Sequence, residues 1–360
     1  MAPPLVVHDP ATESGRAALR RALAAGRLAA LPTDTVPGLG LLADAPDAAA
    51  RLADAKGARA DRPFSLHLRS EEDLRRLLPA LPPGLPSWLA ARLPGPWTIV
   101  LPRDWVGLPA AWGWAWPTVG LRLPDHSAYL RLARELPAPL LLSSINPSGE
   151  PPLAGAELRR WLEERPEIAC GIDPEAVPAE ARPSTVAAFD PLPRLLRGPR
   201  PEGGLRPGLR LLVVCTGNIC RSPLAAALLE RELAAAWGVQ PADLQELGWI
   251  VASAGTFAVS GTPASEHSQT AATEIGLDLG RHRARHVEEL AGRPWDRVLA
   301  LAGSHLAALP PALRARAELL DPGGAEIPDP FGADLAAYRR MRERVEAAVA
   351  ERIRRWSAWP

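Results

Sequence analysis

The stretch "LLVVCTGNICRSPLAAALLERELAAAWG", residues 211–238, decides how the second half of the chain folds. An apolar run ends at Cys215, a polar turn follows, and a stretch rich in alanine and leucine comes next. Gly217 and Asn218 allow a left-handed bend in that turn. Ser222 and Pro223 are expected to form the N-cap and the first residue of the helix. The pattern predicts a strand, a tight loop and a helix.

This loop has the composition of a phosphate site. Its successive N–H groups would face inward at the positive end of the helix and form an anion nest. Arg221 can grip two phosphate oxygens. The same field favours the thiolate of Cys215, a nucleophile that would form a phosphocysteine, and Ser222 Oγ could hydrogen-bond that sulfur. For the general acid we choose Asp329 in "IPDPFG", with Asp321 in "LLDPGG" as the alternative.

Two other interpretations of the cysteine loop are weaker. One is a buried structural cysteine in a strand-to-helix turn. A metal site is disfavoured because no cluster of His or Cys supplies further ligands. We therefore predict no metal held by protein ligands.

At 360 residues the chain is long enough for two domains. The segment "GPRPEGGLRPG" at 198–208 is rich in Pro and Gly and is predicted to be a linker between domains 1–197 and 209–360. Both domains alternate strands and helices, so the fold class is α/β. In the second, the alternation predicts a parallel sheet with helices on both faces. Its predicted strands are 209–214, 249–253, 296–302 and 317–320, before a long helix at 333–356. The first has predicted strands at 28–31, 64–68, 97–101, 118–122, 139–143 and 185–189, with helices at 14–25, 47–55, 70–78 and 126–135.

Composition excludes several classes of protein. The 41 basic and 41 acidic residues balance, so no charge excess indicates nucleic acid or an anionic membrane as a partner. Three cysteines do not make a disulfide framework, and no apolar run approaches the length of a membrane span. The N-terminal residues lack the features of a signal peptide. We expect a cytoplasmic protein.

A single lysine, Lys56, stands among the 41 basic residues. A chain so biased toward arginine is expected to keep lysine where arginine cannot replace it. Hydroxyl-rich turns in "LPTDTVPGLG" (31–40), "LLSSINPSGEPP" (141–152) and "RPSTVAAF" (182–189) indicate a polar pocket for an anionic small molecule. The tryptophans of "AWGWAWP" (111–117) are expected to pack in a core or loop, with stacking on adenine as the alternative. His67, His126 and His305 are expected to be structural or exposed.

The motifs "VVCTGNICRSP", "ASAGTF" and "DPFG", the last followed by Tyr338, resemble those of low-molecular-weight protein-tyrosine phosphatases across 209–360. The resemblance implies a doubly wound, four-stranded parallel sheet and no cofactor. It implies Cys215 as nucleophile, Arg221 as phosphate clamp and Asp329 as general acid. The implied phosphate loop also includes Thr216, Gly217, Asn218, Ile219, Cys220 and Ser222, supported by Ser253.

The substrate of this domain has two candidates. The motifs also resemble those of protein-arginine phosphatases, which carry Thr where this chain has Ile219. Because isoleucine offers an apolar wall, we favour an aryl phosphate such as protein phosphotyrosine, with phosphoarginine as the alternative. Arsenate reductases, which are related, need further cysteines and are disfavoured.

The motifs "PTDTVPGLG", "KGARADRPFSL", "LPGPWTIVL" with "VGLRLPDH", "SSINPSGEP" and "PSTV…LLRG" resemble those of YrdC-like threonylcarbamoyl-AMP synthases across about 12–200. The resemblance implies a twisted mixed sheet with helices. It also implies condensation of L-threonine, bicarbonate and ATP, with Mg²⁺ on the ATP phosphates. tRNA would be reached only indirectly, through a separate transferase. The implied pocket residues are Thr35, Lys56, Arg59, Ser144, Asn146, Ser184 and Arg197.

This chain differs from the synthase pattern at two places. Pro37 stands where the family usually has Tyr, and Lys-Gly-Ala-Arg replaces Lys-x-Arg, which leaves Arg59 one position late and Ala58 in the arginine's place. We predict a bifunctional enzyme with a nucleotidyltransferase and a phosphatase domain and no membrane partner. The alternative is a protein-arginine phosphatase fused to a non-catalytic nucleotide- or RNA-binding module.

Overall fold

The computed structural model describes residues 5–57, 64–146, 150–202 and 204–360. The chain forms two compact units. The first comprises Met1–Ala80 and Leu89–Leu205, and the second comprises Leu81–Trp88 and Arg206–Pro360. The division between Leu205 and Arg206 falls inside the segment predicted as a linker.

The first unit is built on a mixed sheet of nine strands. The order of the strands across the sheet is β7-β1-β2-β6-β3-β5-β4-β8-β9, and both parallel and antiparallel pairs occur. The predicted α/β class with a mixed sheet is confirmed. The strands are β1 (Ala29–Leu31), β2 (Gly38–Leu42), β3 (Ser65–His67), β4 (Trp97–Pro102), β5 (Thr118–Arg122), β6 (Leu140–Ser144), β7 (Ala169–Cys170), β8 (Thr185–Asp190) and β9 (Leu192–Arg197).

Helices flank this sheet. Apolar side chains of the first and fifth helices, including Leu19, Leu23 and Leu132, form a buried cluster with strand residues such as Leu31 and Leu142. The helices, numbered along the whole chain, are α1 (Glu13–Ala24), α2 (Ala48–Ala55), α3 (Glu71–Leu77), α4 (Leu85–Ala90), α5 (Ser127–Arg134) and α6 (Gly155–Glu163). α4 begins in the segment Leu81–Trp88, which groups with the second unit.

Strand β2 was not predicted, because its sequence GLGLL has the glycines of a turn. All five of its residues are buried between β1 and β6. A Cβ atom on Gly40 would lie 1.9 Å from the backbone oxygen of Leu141 on β6. Glycine is therefore required here for the close approach of two strands.

The second unit contains four parallel strands in the order β11-β10-β12-β13. This is the predicted doubly wound parallel sheet, and the prediction is confirmed. The strands are β10 (Arg210–Cys215), β11 (Ile250–Gly255), β12 (Arg297–Ala300) and β13 (Ala317–Leu319). The helices are α7 (Arg221–Trp237), α8 (Glu266–Thr273), α9 (Glu288–Ala291), α10 (Gly303–Ala307), α11 (Pro311–Arg314) and α12 (Leu335–Trp356).

Helices cover both faces of this sheet. Successive residues of a strand point to opposite faces, and neighbouring residues of β10 accordingly belong to different buried clusters. Val213 packs with Leu228 of α7 and Val345 of α12. Leu212 packs on the other face with Leu290 of α9. With both faces covered, the carboxyl end of the sheet, where β10 ends at Cys215, is where a ligand can be approached.

The segment Leu81–Trp88 is anchored within the second unit by two hydrogen bonds. Trp237 Nε1 donates to the Pro83 carbonyl at 3.1 Å. The Gly84 N–H donates to the Trp356 carbonyl at 2.9 Å.

None of the helices in the described part of the chain combines the length and the apolar character that crossing a membrane requires.

Candidate active sites

The loop between β10 and α7 encloses the sulfur of Cys215. The Asn218 N–H donates to Cys215 Sγ at 3.3 Å, and Ser222 Oγ lies 3.0 Å from the same sulfur. Asn218 has a left-handed backbone, with φ 53°, and is fully buried. Its Nδ2 donates to Ser222 Oγ at 2.8 Å and to Ser253 Oγ at 2.9 Å. Because Ser222 Oγ accepts from Asn218, its own proton can be donated to the sulfur at 3.0 Å or to the Ala254 carbonyl at 3.4 Å. The sulfur is the nearer acceptor, and a hydrogen bond to it stabilises a thiolate.

The start of α7 differs from the prediction. The helix begins at Arg221, and Cys220 occupies the N-cap position without a side-chain cap. The assignment of Ser222 and Pro223 as N-cap and first helical residue was therefore wrong. The reason is that the Ser222 hydroxyl is directed to Cys215 and Asn218 instead of to the N–H groups of the helix.

Arg221 lies beside the sulfur loop and is 4% exposed. Its Nη2 contacts Asp329 Oδ2 at 2.5 Å and Thr216 Oγ1 at 3.3 Å, and its Nη1 donates to the Ile327 carbonyl at 3.3 Å. Its Nε is buried and has no acceptor among the described residues. Nor does any described residue accept from the backbone N–H groups of Gly217, Ile219 and Cys220. A cation and open N–H groups at one place form a site for an anion such as phosphate.

A cavity of about 250 Å³ opens above this loop. Asp329 lines it next to Arg221, whereas Asp321, the alternative general acid, does not. Three apolar residues of the lining are largely exposed, namely Phe257 (72%), Val259 (75%) and Phe331 (72%). The site therefore has a charged floor and an apolar mouth.

The loop is held from behind by close packing. A Cβ atom on Gly255 would lie 2.4 Å from the Thr216 carbonyl oxygen, so β11 approaches the loop through a glycine. Cys220 Sγ lies 3.3 Å from Tyr338 Oη. Burial raises the pKa of the Cys220 thiol, and burial together with the Cys220 contact raises the pKa of Tyr338 to about 12. Both groups are neutral at pH 7 and act as structural support.

Two histidines adjoin this loop. His305 Nε2 lies 3.0 Å from Thr216 Oγ1, and His282 Nε2 lies 2.7 Å from the Asn218 carbonyl. His305 is buried; burial, helped by the charge of Arg221, lowers its pKa to about 4. Sequence analysis did not connect either histidine with the loop, because the partners are 89 and 64 residues apart.

In the first unit, Lys56 lies at the end of α2 and points to the end of β6. Its Nζ donates to Ser143 Oγ at 3.0 Å, to the Ser144 carbonyl at 2.6 Å and to Asn146 Oδ1 at 3.1 Å. All three partners line a cavity of about 350 Å³. Burial lowers the pKa of Lys56 to about 8. The structure thus brings Lys56, Ser144 and Asn146 together.

Ser184 and Arg197 line the same cavity from the far strands of the sheet. Arg197 donates from Nε to the Ser184 carbonyl at 3.0 Å and from Nη2 to Ser184 Oγ at 3.1 Å. Ser184 Oγ also lies 2.7 Å from Thr98 Oγ1. Arg197 therefore places a positive group on this cavity, and its hydrogen bonds to Ser184 fix the position of that group.

Sequence analysis did not select Arg122, which also lines the cavity. Its Nη2 pairs with Asp34 Oδ1 at 2.5 Å, and its buried Nε has no described acceptor. His67, expected to be structural or exposed, is buried and also lines the cavity. Burial and the charge of Arg122 lower its pKa well below the usual range. Arg122 stands in the motif "VGLRLPDH", so this motif could have identified Arg122 as a pocket residue from the sequence.

Two predicted pocket residues are placed differently. Thr35 lines a neighbouring cavity of about 270 Å³ and contacts the larger one through Thr33, with 3.1 Å between their hydroxyl oxygens. Arg59 lies outside the described residues, as does Ala58. Pro37 also lines the neighbouring cavity.

The tryptophans of 111–117 do not line the described part of the large cavity. Trp114 and Trp116 pack edge to face at 5.0 Å, and Trp116 packs on Phe64. Loop packing, the first of the two interpretations, describes these contacts. Within the described residues no group of three His, Cys, Asp or Glu side chains could hold a metal ion.

Comparison with known proteins identifies both parts of the chain. Residues 21–198 match the Sua5/YciO/YrdC family model, described as telomere recombination, and residues 210–355 match the model of low molecular weight phosphotyrosine protein phosphatases. A putative threonylcarbamoyl-AMP synthase of Mycobacterium tuberculosis is 34% identical over 176 residues, which are 49% of this chain and 80% of that protein.

Two phosphatases are similar to the second unit. A protein-arginine-phosphatase of Geobacillus stearothermophilus is 33% identical over 39% of this chain and 90% of its own length. The low molecular weight protein-tyrosine-phosphatase Etp of Escherichia coli K12 is 32% identical over 41% of this chain and 94% of its own. Other synthases are longer: the chain spans 37% of the Pyrococcus abyssi threonylcarbamoyl-AMP synthase, to which it is 39% identical.

The chain therefore belongs to the Sua5/YciO/YrdC family in its N-terminal part and to the low molecular weight phosphotyrosine protein phosphatases in its C-terminal part.

Proposed function

We propose that the chain is a bifunctional enzyme, a protein-tyrosine phosphatase joined to a threonylcarbamoyl-AMP synthase. The observation that supports the phosphatase is the group around one sulfur. Cys215 Sγ has Ser222 Oγ at 3.0 Å and the Asn218 N–H at 3.3 Å, and Arg221 and Asp329 line the same cavity. Nucleophile, anion site and acid thus meet where a phosphoryl group would sit.

In the first step Cys215 Sγ attacks the phosphorus, and the bond from phosphorus to the leaving oxygen breaks. Asp329 donates a proton to that oxygen, so the product leaves as a neutral alcohol or phenol. Arg221 and the open N–H groups of the loop hold the three other phosphate oxygens. Since Arg221 pairs with Asp329 in the structure, the incoming phosphate takes over part of that contact.

In the second step a water attacks the phosphocysteine. Asp329, now ionised, accepts a proton from the water, and the P–S bond breaks. The sulfur leaves as a thiolate and receives the hydrogen bond of Ser222. Inorganic phosphate is released, and Asp329 is protonated again for the next cycle.

For the substrate we propose protein phosphotyrosine. Ile219, Phe257 and Phe331 place apolar surface around the mouth of the cavity, and an aromatic ring would be desolvated there at little cost. The second candidate is phosphoarginine, because one of the similar proteins is a protein-arginine-phosphatase. A test compares kcat/KM for a phosphotyrosine peptide and a phosphoarginine peptide of the same sequence. We expect the phosphotyrosine peptide to react faster, and the reverse ranking would assign the site to phosphoarginine.

For the first unit we propose the condensation of L-threonine, bicarbonate and ATP to threonylcarbamoyl-AMP, pyrophosphate and water. The supporting observation is a cavity of about 350 Å³ that holds Arg197 and Arg122 and is bordered by the Lys56 contacts. Separate cationic groups suit a substrate carboxylate and a nucleotide triphosphate, the latter bound as its Mg²⁺ complex. The product would reach tRNA through a separate transferase.

The synthase is tested by pyrophosphate release from ATP with and without L-threonine. Release that requires threonine and bicarbonate supports the proposal. ATP binding without any threonine-dependent release would instead support a nucleotide-binding module that no longer condenses.

A further inference from the structure

A strip of arginines lies next to the mouth of the phosphatase cavity. The arginine strip comprises residues 281–285, RHRAR, in the connection between α8 and α9. Arg281 and Arg283 are exposed, and Arg285 is half-buried. The strip therefore places three guanidinium groups within five residues of a chain whose formal net charge is zero.

Hydrogen bonds hold the arginine strip against the phosphate loop. The Arg285 N–H donates to Asn218 Oδ1 at 2.9 Å, and His282 Nε2 contacts the Asn218 carbonyl at 2.7 Å. The Gly255 N–H donates to the Arg285 carbonyl at 2.9 Å. The position of the strip relative to Cys215 is thus set by the same asparagine that shapes the loop.

The strip also runs beside one wall of the cavity. Ala284 exchanges backbone hydrogen bonds with the segment that carries the wall: its N–H donates to the Thr262 carbonyl, and its carbonyl accepts from the Gly261 N–H, both at 2.8 Å. Thr262 lines the cavity, as does the exposed Val259. One strand spacing of roughly 5 Å therefore separates the strip's backbone from the wall.

The guanidinium groups of the strip form no ion pairs with the described residues. Neither Arg281, Arg283 nor Arg285 has a described carboxylate oxygen within 4.0 Å, although the charge of Arg285 is among the causes that lower the pKa of Glu289. Arg283 uses Nη1 to bond the Gly280 and His282 carbonyls, which holds the side chain in place and leaves its charge unpaired.

Carboxylates also lie close to the strip, and Asp278 Oδ1 accepts from the Gly280 N–H, directly before Arg281, at 2.7 Å. Glu289 accepts hydrogen bonds from Ser260 Oγ and from the His286 N–H. These bonds, first of all the one from Ser260, lower the pKa of Glu289, so it is charged at neutral pH. Asp278 and Glu289 both accept hydrogen bonds from backbone N–H groups, those of Gly280 and His286, and neither lies within ion-pair distance of the three guanidinium groups.

We propose that the arginine strip binds acidic residues that flank the phosphorylated residue of the protein substrate. The inference rests on the proposed phosphatase function and adds a sequence preference to it. A side chain of arginine extends the reach of the strip to roughly 10 Å from the wall, and an extended peptide advances about 3.3 Å per residue. The preferred Asp or Glu residues therefore lie two to four positions from the phosphoresidue, and the apolar rim at Phe257 and Val259 contacts the residue between them.

The experiment compares three substrates at low ionic strength. They are p-nitrophenyl phosphate, a phosphotyrosine peptide with Asp or Glu at positions two to four on both sides, and the same peptide with Asn or Gln there. For the wild-type chain we expect kcat/KM for the acidic peptide to exceed that for the amide peptide about five- to tenfold, as two exposed ion pairs allow. The ratio should fall toward one at 0.5 M salt, where such pairs are screened.

The variant Arg281→Gln/Arg283→Gln should reduce that ratio to below about twofold while turnover of p-nitrophenyl phosphate stays unchanged. The matched control, Arg293→Gln/Arg344→Gln, removes the same charge at exposed positions outside the strip and the cavity lining, and should keep the preference.

The outcomes separate this inference from the proposed function. Turnover of p-nitrophenyl phosphate without a preference for acidic peptides, or a preference that survives in Arg281→Gln/Arg283→Gln, overturns the arginine strip alone. Failure to turn over p-nitrophenyl phosphate and both peptides overturns the phosphatase and the strip together.

Discussion

Ser222→Ala tests the chemistry of the phosphate loop by removing one hydroxyl. Ser222 is fully buried, and its Oγ lies 3.0 Å from Cys215 Sγ. Asn218 Nδ2 loses one acceptor in this variant but keeps Ser253 Oγ at 2.9 Å, so the loop retains its support. The main loss is the hydrogen bond to the sulfur when that sulfur leaves phosphorus as a thiolate.

The size of the effect follows from the charge on the sulfur. A hydrogen bond to a charged group is worth about 1.5–3 kcal/mol. At roughly 1.4 kcal/mol per factor of ten, hydrolysis of the phosphocysteine should slow about 10- to 150-fold. The attack on substrate should slow less, because Asn218 N–H and Arg221 still act on the incoming phosphate. The second step then becomes rate-limiting, and phosphoenzyme accumulates.

Stopped-flow measurement with p-nitrophenyl phosphate follows both steps. Ser222→Ala should show a burst of p-nitrophenol of close to one equivalent per chain, followed by a slow steady state. Acid quenching should trap labelled phosphate on Cys215. The control Ser265→Ala removes a hydroxyl that lies 3.4 Å from the other loop thiol, Cys220, and should leave kcat within about twofold. Linear progress without a burst, at the wild-type rate, would refute the role of Ser222.

Three further predictions concern the acid, the lysine and the sheet. Asp329→Asn should lower kcat for phenyl phosphate about 10²- to 10⁴-fold. The loss should be much smaller for p-nitrophenyl phosphate, because its leaving group needs less protonation. Equal losses for the two substrates in steady-state assays would argue against Asp329 as general acid. Lys56 has a pKa of about 8 because burial disfavours its charge, so it is protonated below pH 8 and neutral above it. The ATP affinity measured by calorimetry should therefore fall about eightfold between pH 7.5 and 9. The variant Lys56→Gln should show no such pH dependence. If the dependence persists in that variant, Lys56 is not the group that binds ATP. Gly40→Ala should lower the free energy of unfolding of the first unit by about 3 kcal/mol or more in guanidinium denaturation, because its Cβ would lie 1.9 Å from the Leu141 oxygen. The control Gly107→Ala, with its nearest contact at 3.6 Å, should leave that free energy nearly unchanged. Equal denaturation midpoints for the two variants would show that β2 tolerates a side chain.

The parts of the molecule that sequence could predict are local in the chain. The second unit's four strands and long final helix follow from apolar runs and helical periodicity, both of which depend on near neighbours. The resemblance of short motifs was sufficient to identify both families. Strands β2, β7 and β9 were missed because β2 has the glycines of a turn, β7 has two residues, and β9 carries proline and two arginines.

The parts that sequence could not predict depend on residues far apart in the chain. Arg122 meets Asp34 across 88 residues, and its place on the cavity follows from the strand order of the mixed sheet. The Ser222 hydroxyl was assigned to the helix cap because capping is its commonest role at such a position. It faces Cys215 instead because Asn218 Nδ2 bonds both Ser222 Oγ and Ser253 Oγ. Ser253 lies on β11, the strand next to β10, so these hydrogen bonds fix the loop against the neighbouring strand.

The most direct test of two independent active sites in one chain is a crossed activity measurement. Threonine-dependent pyrophosphate release and p-nitrophenyl phosphate turnover are measured on wild type, Cys215→Ser and Lys56→Gln. We predict that Cys215→Ser loses the phosphatase activity and keeps pyrophosphate release, and that Lys56→Gln shows the opposite pattern. Retained phosphatase activity in Cys215→Ser, or pyrophosphate release that needs no threonine in the wild type, would contradict the account.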